Sequence, residues 1–145
     1  GQFCTQPGHL IDIMATCVDV AGAAYPKEFR GQAIPPMEGR SLLPAFENKP
    51  IQRDALFWEH EGNAAVRVGD WKLVRLGRDG PWELYDLKSD RTEQRNRAAA
   101  QPKRVQELAA KWEAWAERAQ VKPYPAGDPT DTGVPKKGKK KRAVK

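Results

Sequence analysis

The sequence predicts an α+β fold: a four-stranded antiparallel sheet packed by a C-terminal helix, with one helix before it and a disordered basic tail after it. Two observations carry the expectation. Four runs rich in β-branched and aromatic residues, 55–61, 64–68, 71–76 and 82–87, are spaced by glycine-containing turns. After Pro102 the apolar residues recur at helical spacing instead. At 145 residues, 39% of them apolar, the chain has room for one modest core and not for two full domains.

From the N-terminus, Leu10, Ile13, Met14, Cys17, Val20 and Ala21 fall at helical spacing between His9 and Ala21, and Asp12, Thr16 and Asp19 take the remaining face. Gly22 closes this helix. Its apolar stripe needs a partner, and in an isolated chain that surface is expected to lie exposed. Cys4 and Cys17 are too few for a disulfide framework or a zinc knuckle and are expected as small buried hydrophobes. Pro26, Gly31, Pro35, Pro36, Gly39, Pro44 and Pro50 then deny helix and ladder hydrogen bonds over any length, which predicts an ordered connecting loop. Within it Ser41, Leu42 and Leu43 suit a short turn that docks two leucines.

The sheet follows. Gly62-Asn63 and Gly69-Asp70 suit two-residue hairpin turns, because glycine accepts the positive φ of the primed types, and 77–81 forms a longer connection. Val66 and Val68 share a face opposite Arg67, and Trp82 and Leu84 oppose Glu83 and Tyr85, so one face is buried and the other at least partly wet. Asp90 and Glu93 have the spacing of a capping box and start a short helix or turn. Pro102 opens the long helix, whose stripe of Val105, Leu108, Ala109, Trp112, Trp115, Ala116 and Ala119 meets the apolar face of the sheet. The resulting divisions are a helix at 1–24, a connecting loop at 25–54, a sheet-and-helix subdomain at 55–121 and a disordered tail at 122–145.

The formal charge of +6 belongs to that tail. Seven basic residues between Lys136 and Lys145 leave 18 basic against 19 acidic side chains, about −1, in residues 1–135. With no aromatic interleaving, the tail reads as a solvated terminus rather than a nucleic-acid contact. No run approaches the roughly 18 apolar residues of a membrane span, and residues 1–10 lack the pattern of an export signal, so a soluble chain is expected.

Chemistry-bearing motifs are sparse. His9 and His60 are the only imidazoles, and no nucleophile elbow, phosphate loop or His-Glu-x-x-His motif occurs. In Glu59-His60-Glu61 the histidine of a strand points away from both neighbours, which favours a surface or rim position over a substrate contact, and either over catalysis. The five tryptophans, Trp58, Trp71, Trp82, Trp112 and Trp115, lie among apolar neighbours and are expected in the core rather than stacked on sugar or aryl rings.

Five blocks in order carry a resemblance: residues 9–22 (HLIDIMATCVDVAG), 39–43 (GRSLL), 56–63 (LFWEHEGN), 66–74 (VRVGDWKLV), and 82–87 (WELYDL) with Asp90, Glu93 and Asn96. Over about residues 9–121 the chain resembles the C-terminal portion of arylsulfatases. The resemblance implies a parent enzyme of the alkaline-phosphatase-like α/β class, whose large N-terminal domain holds the active site and whose small C-terminal subdomain packs a helix on a four-stranded sheet. Such enzymes hydrolyse sulfate esters with a formylglycine made from a Cys/Ser-x-Pro-x-Arg motif and a calcium ion held by Asp and Asn. That motif is absent here. Cys4-Thr-Gln-Pro7 places proline one residue late and lacks the arginine, and Cys17-Val-Asp-Val lacks proline. No catalytic or metal-binding residue carries over, Lys72 included, so calcium and formylglycine are expected in an N-terminal catalytic domain, and the chain alone is expected to be inactive.

The piece is thus expected to complete a sulfatase fold, with that catalytic domain as its partner and a sulfate ester as the parent's substrate. His60, Glu61 and Asn63, at a hairpin tip, are the candidate substrate-rim residues; alternatively Asn63 only supplies positive φ to the turn. By resemblance the parent is periplasmic or secreted. Two other readings are a non-catalytic binding module for acidic or sulfated polymers, using the tail and exposed tryptophans, and a non-functional gene remnant.

Overall fold

In the computed structural model, residue 1 and residues 3–121 are described, so the expected disordered tail at 122–145 lies outside the described residues. The chain divides into two compact units, Gly1–Asp54 and Ala55 onward.

In the first unit, helix α1 runs from Asp12 to Val20. It ends as the glycine predicts. Gly22 takes φ +59 and the Gly22 and Ala23 N–H groups donate back to the carbonyls of Asp19 and Val18, a Schellman closure. The polar side of α1 is its inner side. Asp12 and Ala15 are buried while Leu10, Ile13, Met14 and Val20 are exposed. The Pro- and Gly-broken loop after the helix has backbone N–H groups with no ladder to join, and buried ones need acceptors. Asp12 and Thr16 supply them. The Asp12 carboxylate accepts from the N–H of His9 at 2.7 Å and of Arg40 at 2.9 Å, and the Thr16 hydroxyl oxygen accepts from the Leu42 N–H at 2.9 Å. Gly39 permits this approach, since a Cβ there would collide with the Ile11 carbonyl.

Three expectations for this unit are corrected. Cys4 and Cys17 are exposed, not buried, because Cys17 lies on the outward face beside Ile13 and Met14. The loop also holds a small hairpin, β1 Glu28–Phe29 with β2 Gln32–Ala33, whose turn residues Arg30 and Gly31 have φ 51 and 76. The expected turn at Ser41–Leu43 is the start of a one-turn helix, α2 Leu43–Phe46, with Pro44 in its first turn, where its missing N–H costs nothing.

The second unit is the expected sheet and helix. Strands β3 Leu56–His60, β4 Asn63–Val68, β5 Trp71–Arg75 and β6 Trp82–Asp86 form an antiparallel meander in chain order. One turn is shifted. His60 pairs with Asn63, so the first turn is Glu61-Gly62, with φ 53 and 84, rather than Gly62-Asn63. Both central positions of such a turn need positive φ, and Asn63 is a strand residue that supplies none. Helix α3, Pro102–Arg118, follows a 3₁₀ turn at Ala98–Ala100. It closes without glycine: Gln120 takes φ 57, the Val121 N–H donates to the Ala116 carbonyl, and Val121 packs on the core.

Alternation places Ala64, Val66, Leu73 and Leu84 on one face, where Leu108, Trp112 and Ala116 of α3 cover them. Each fully buried aliphatic side chain contributes about 1.5–3 kcal/mol. Aromatic packing completes the layer. Phe57 stacks on Trp115 at 5.2 Å, Trp82 meets Trp112 edge-on at 6.0 Å, and the Trp112 indole N–H donates to the Trp58 carbonyl at 3.0 Å. The Arg75 guanidinium lies 4.7 Å from the Trp82 ring and 5.2 Å from that of Trp112. This cation between two π faces had no sequence signal.

The opposite face is less wet than alternation alone suggests. Tyr85 is buried there with its hydroxyl donating to Glu83, which, with burial, pushes its pKa up to about 12. Lys72 pairs with Glu93 at 2.6 Å. That pair undoes the expected capping box, because the Glu93 carboxylate is spent on Lys72. Asp90 alone caps, accepting from the Gln94 and Arg95 N–H groups, and these bonds hold its carboxyl below the usual value. No helix starts there. Instead Asn96 accepts from the Leu84 N–H and Arg97 donates to the Leu84 carbonyl, which closes the outer edge of β6.

Candidate functional site

The candidate rim residues meet at one end of the sheet, where two loops are bonded together. The tight β3–β4 turn is closed by Glu59, whose carboxylate accepts the Gly62 N–H at 2.8 Å. Asn63 turns its amide oxygen to the β5–β6 loop and accepts the Gly77 N–H at 2.8 Å. Gly62 and Gly77 are both buried. Arg78 follows directly, and its side chain lies across Gly62 so closely that a Cβ on Gly62 would sit 2.9 Å from the Arg78 Cγ.

The three predicted residues therefore have different roles. His60 and Glu61 point outward, with side chains 82% and 72% exposed and Nδ1 3.8 Å from Oε2. Asn63 is half-buried and acts as a tie. The expectation that His60 points away from both neighbours fails at Glu61, which occupies the turn with its Oε2 3.8 Å from His60 Nδ1. Arg78 was missed. Its only signal was its place in a glycine- and proline-bounded connection, which by itself suggests nothing beyond a turn.

The tip offers hydrogen-bond donors and acceptors, with the Glu61 carboxylate beside His60, and is equipped to hold polar groups. The residues do not fit the groups that sulfatases use. Among the described residues no cluster of three or more His, Cys, Asp or Glu is arranged to hold a metal ion. Among the described residues the one fully buried carboxylate, Asp12, is already satisfied by Arg53 and two backbone N–H groups. Neither cysteine lies in the motif that yields formylglycine.

Replacing Asn63 by alanine would leave the buried Gly77 N–H without its acceptor. The expected cost is about 1–3 kcal/mol, read from the urea midpoint of the chain.

The fold defines the class: a four-stranded antiparallel sheet with a C-terminal helix, as found in sulfatase structures of the alkaline-phosphatase-like class. No family model matches the chain. It is 32% identical over 110 residues to an uncharacterized sulfatase of Schizosaccharomyces pombe, an alignment covering 71% of this chain and 20% of that protein. Among solved structures, Ps i-CgsB in complex with k-i-k-neocarrahexaose has TM-score 0.61 at 21% identity, over 78% of this chain and 25% of the other. BT4656, solved in complex with its substrate D-glucosamine-2-N,6-O-disulfate, has TM-score 0.56 at 25% identity, over 77% and 24%. The chain is homologous to sulfatases, consistent with a C-terminal sulfatase fragment, and spans about a fifth of the length of the curated relatives it matches.

Proposed function

We propose that this chain completes the fold of a sulfate ester hydrolase and forms an edge of its substrate cleft, with the bond-breaking groups supplied by a longer protein to which the chain belongs. The observation that carries the reading is the 110-residue alignment with a sulfatase. Two features support it. Helix α1 exposes Ile13, Met14 and Val20, and Leu10 just before it is exposed as well, apolar surface suited to a further domain of the same protein rather than to water. The Glu61-Gly62 turn is a rigid, outward projection whose side chains are polar and accessible.

In this reading formylglycine and calcium belong to the catalytic domain of the longer protein, and His60 and Glu61 contact parts of the ester remote from sulfur. The test is kinetic, in that longer protein. Loss of one hydrogen bond from His60→Ala is expected to raise KM for a sulfated saccharide about 3- to 10-fold. An unchanged KM for every large sulfate ester tried would remove His60 from the cleft edge.

A further inference from the structure

Charge is not spread evenly along the chain. Residues 88–104 hold six basic side chains, Lys88, Arg91, Arg95, Arg97, Lys103 and Arg104, against two acids, Asp90 and Glu93, a net of +4. The rest of residues 1–135, with 12 basic against 17 acidic side chains, carries about −5. Both acids of the segment are engaged. Glu93 pairs with Lys72, and Asp90 accepts from the Gln94 and Arg95 N–H groups. Most of the cations are not. Arg104 lies 4.3 Å from the Trp71 ring, but Lys88, Arg91, Arg95, Arg97 and Lys103 are exposed and, among the described residues, form no ion pair. The backbone that carries them is fixed. Strand β6 leaves the sheet at Asp86, paired with Trp71 at the end opposite the Glu61-Gly62 turn, and the chain then returns along the outer edge of β6, where Asn96 and Arg97 bond Leu84. The Asp90 carboxyl is held below its usual value by the Gln94 and Arg95 N–H groups and then by the charges of Arg95 and Arg97, so both guanidinium groups lie near it.

We infer that residues 88–104, along the outer edge of β6, form a ledge that binds a sulfated polymer at a surface separate from the His60–Glu61 tip. The choice of a sulfated polymer rests on the sulfatase reading above; the charge and its position stand without it. Three of the five exposed cations are arginines, whose fork of donors matches the oxygens of a tetrahedral oxyanion better than an ammonium does. A polymer presents such oxyanions repeatedly, and positive charge confined to one edge of an otherwise negative body attracts it to that edge. Residues 88–104 contain no aromatic residue and no Val, Ile, Leu or Met. That composition offers no platform for stacking bases and no apolar anchor for a bilayer, which disfavours a nucleic acid or a membrane as the occupant.

Binding is measured on the 145-residue chain itself, with dextran sulfate as the probe, and needs no sulfate release. Arg91→Gln, Arg95→Gln and Arg97→Gln together are expected to weaken it about 10-fold or more at low salt, and to flatten its salt dependence because fewer counterions are released. Arg95 and Arg97 bond Asp90 and Leu84 through backbone N–H groups, so the substitutions leave those bonds in place, and an unchanged urea midpoint checks this. Lys88→Gln with Lys103→Gln is a second arm and should weaken binding about threefold or more. The same losses are expected in residues 1–135, which lack the basic run at 136–145. Lys27→Gln, Arg30→Gln and Lys49→Gln, exposed in the first unit, remove as much charge as the first triple and should cost less than about threefold. An equal loss from both triples, or a loss under about twofold from the first triple in either chain, would overturn the inference. So would tighter binding of a single-stranded oligonucleotide of equal charge by residues 1–135, the result a nucleic-acid surface gives. The sulfatase reading fails on a different result, the absence of sulfate release by the longer protein.

Discussion

Replacing Trp112 by alanine is expected to cost the second unit about 3–5 kcal/mol, a large share of the roughly 5–15 kcal/mol that holds a domain together. The side chain is fully buried, and three separate contacts converge on it. It fills the space between α3 and the strands carrying Val66, Leu73 and Leu84; its N–H ties α3 to the Trp58 carbonyl; and its ring faces both Trp82 and Arg75. Alanine leaves a cavity the rigid sheet cannot collapse into, and Arg75 loses one of the two π faces around its charge. Urea unfolding followed by tryptophan fluorescence measures the loss. Trp115→Ala is the control: Trp115 is half-buried, so its cost should be clearly smaller.

The second large effect belongs to the first unit. Asp12→Ala is expected to cost about 3–5 kcal/mol, the range for breaking a buried ion pair by removing one partner. Arg53, 11% exposed at its side chain, would keep its charge with no carboxylate at 2.6 Å, and the N–H groups of His9 and Arg40 would lose their acceptor. Faster hydrogen exchange at Arg40 and proteolytic cleavage in the 38–53 loop would report the damage. The same carboxylate sets a pH dependence. Burial pushes its pKa up, but the Arg40 N–H, the Arg53 guanidinium and the His9 N–H outweigh burial and hold it below the ordinary 3.8. A depressed carboxylate stabilises the folded state above its unfolded value, so this contribution is whole at neutral pH and is lost as pH falls below 3.8 through the folded value. Asp12→Asn should remove that acid-side loss.

The sheet and α3 were legible because their signals are local: alternation along 64–68 and 82–86, and a 3.6-residue stripe after Pro102. What escaped depended on contacts between residues far apart in the chain. Either Glu61-Gly62 or Gly62-Asn63 puts a glycine in the hairpin turn. The fold takes the first, with Glu61 and Gly62 at positive φ, while Asn63 joins β4 and its amide oxygen accepts from Gly77, fourteen residues on. The capping box at Asp90 failed for the same kind of reason, since Lys72 takes Glu93. The sidedness of α1 could not be read from its apolar stripe, because the loop that lies over the polar side demands acceptors rather than apolar cover. Of the tip, His60 and Glu61 were visible as exposed polar residues at a turn. Arg78 was not, because only the folded chain lays it against Gly62.

Sulfate release tests the central claim most directly. The longer protein proposed to carry this chain should liberate inorganic sulfate from a sulfate ester, while residues 1–145 expressed alone should liberate none. Sulfate release by the 145-residue chain itself, or its absence with every ester offered to the longer protein, would contradict the account.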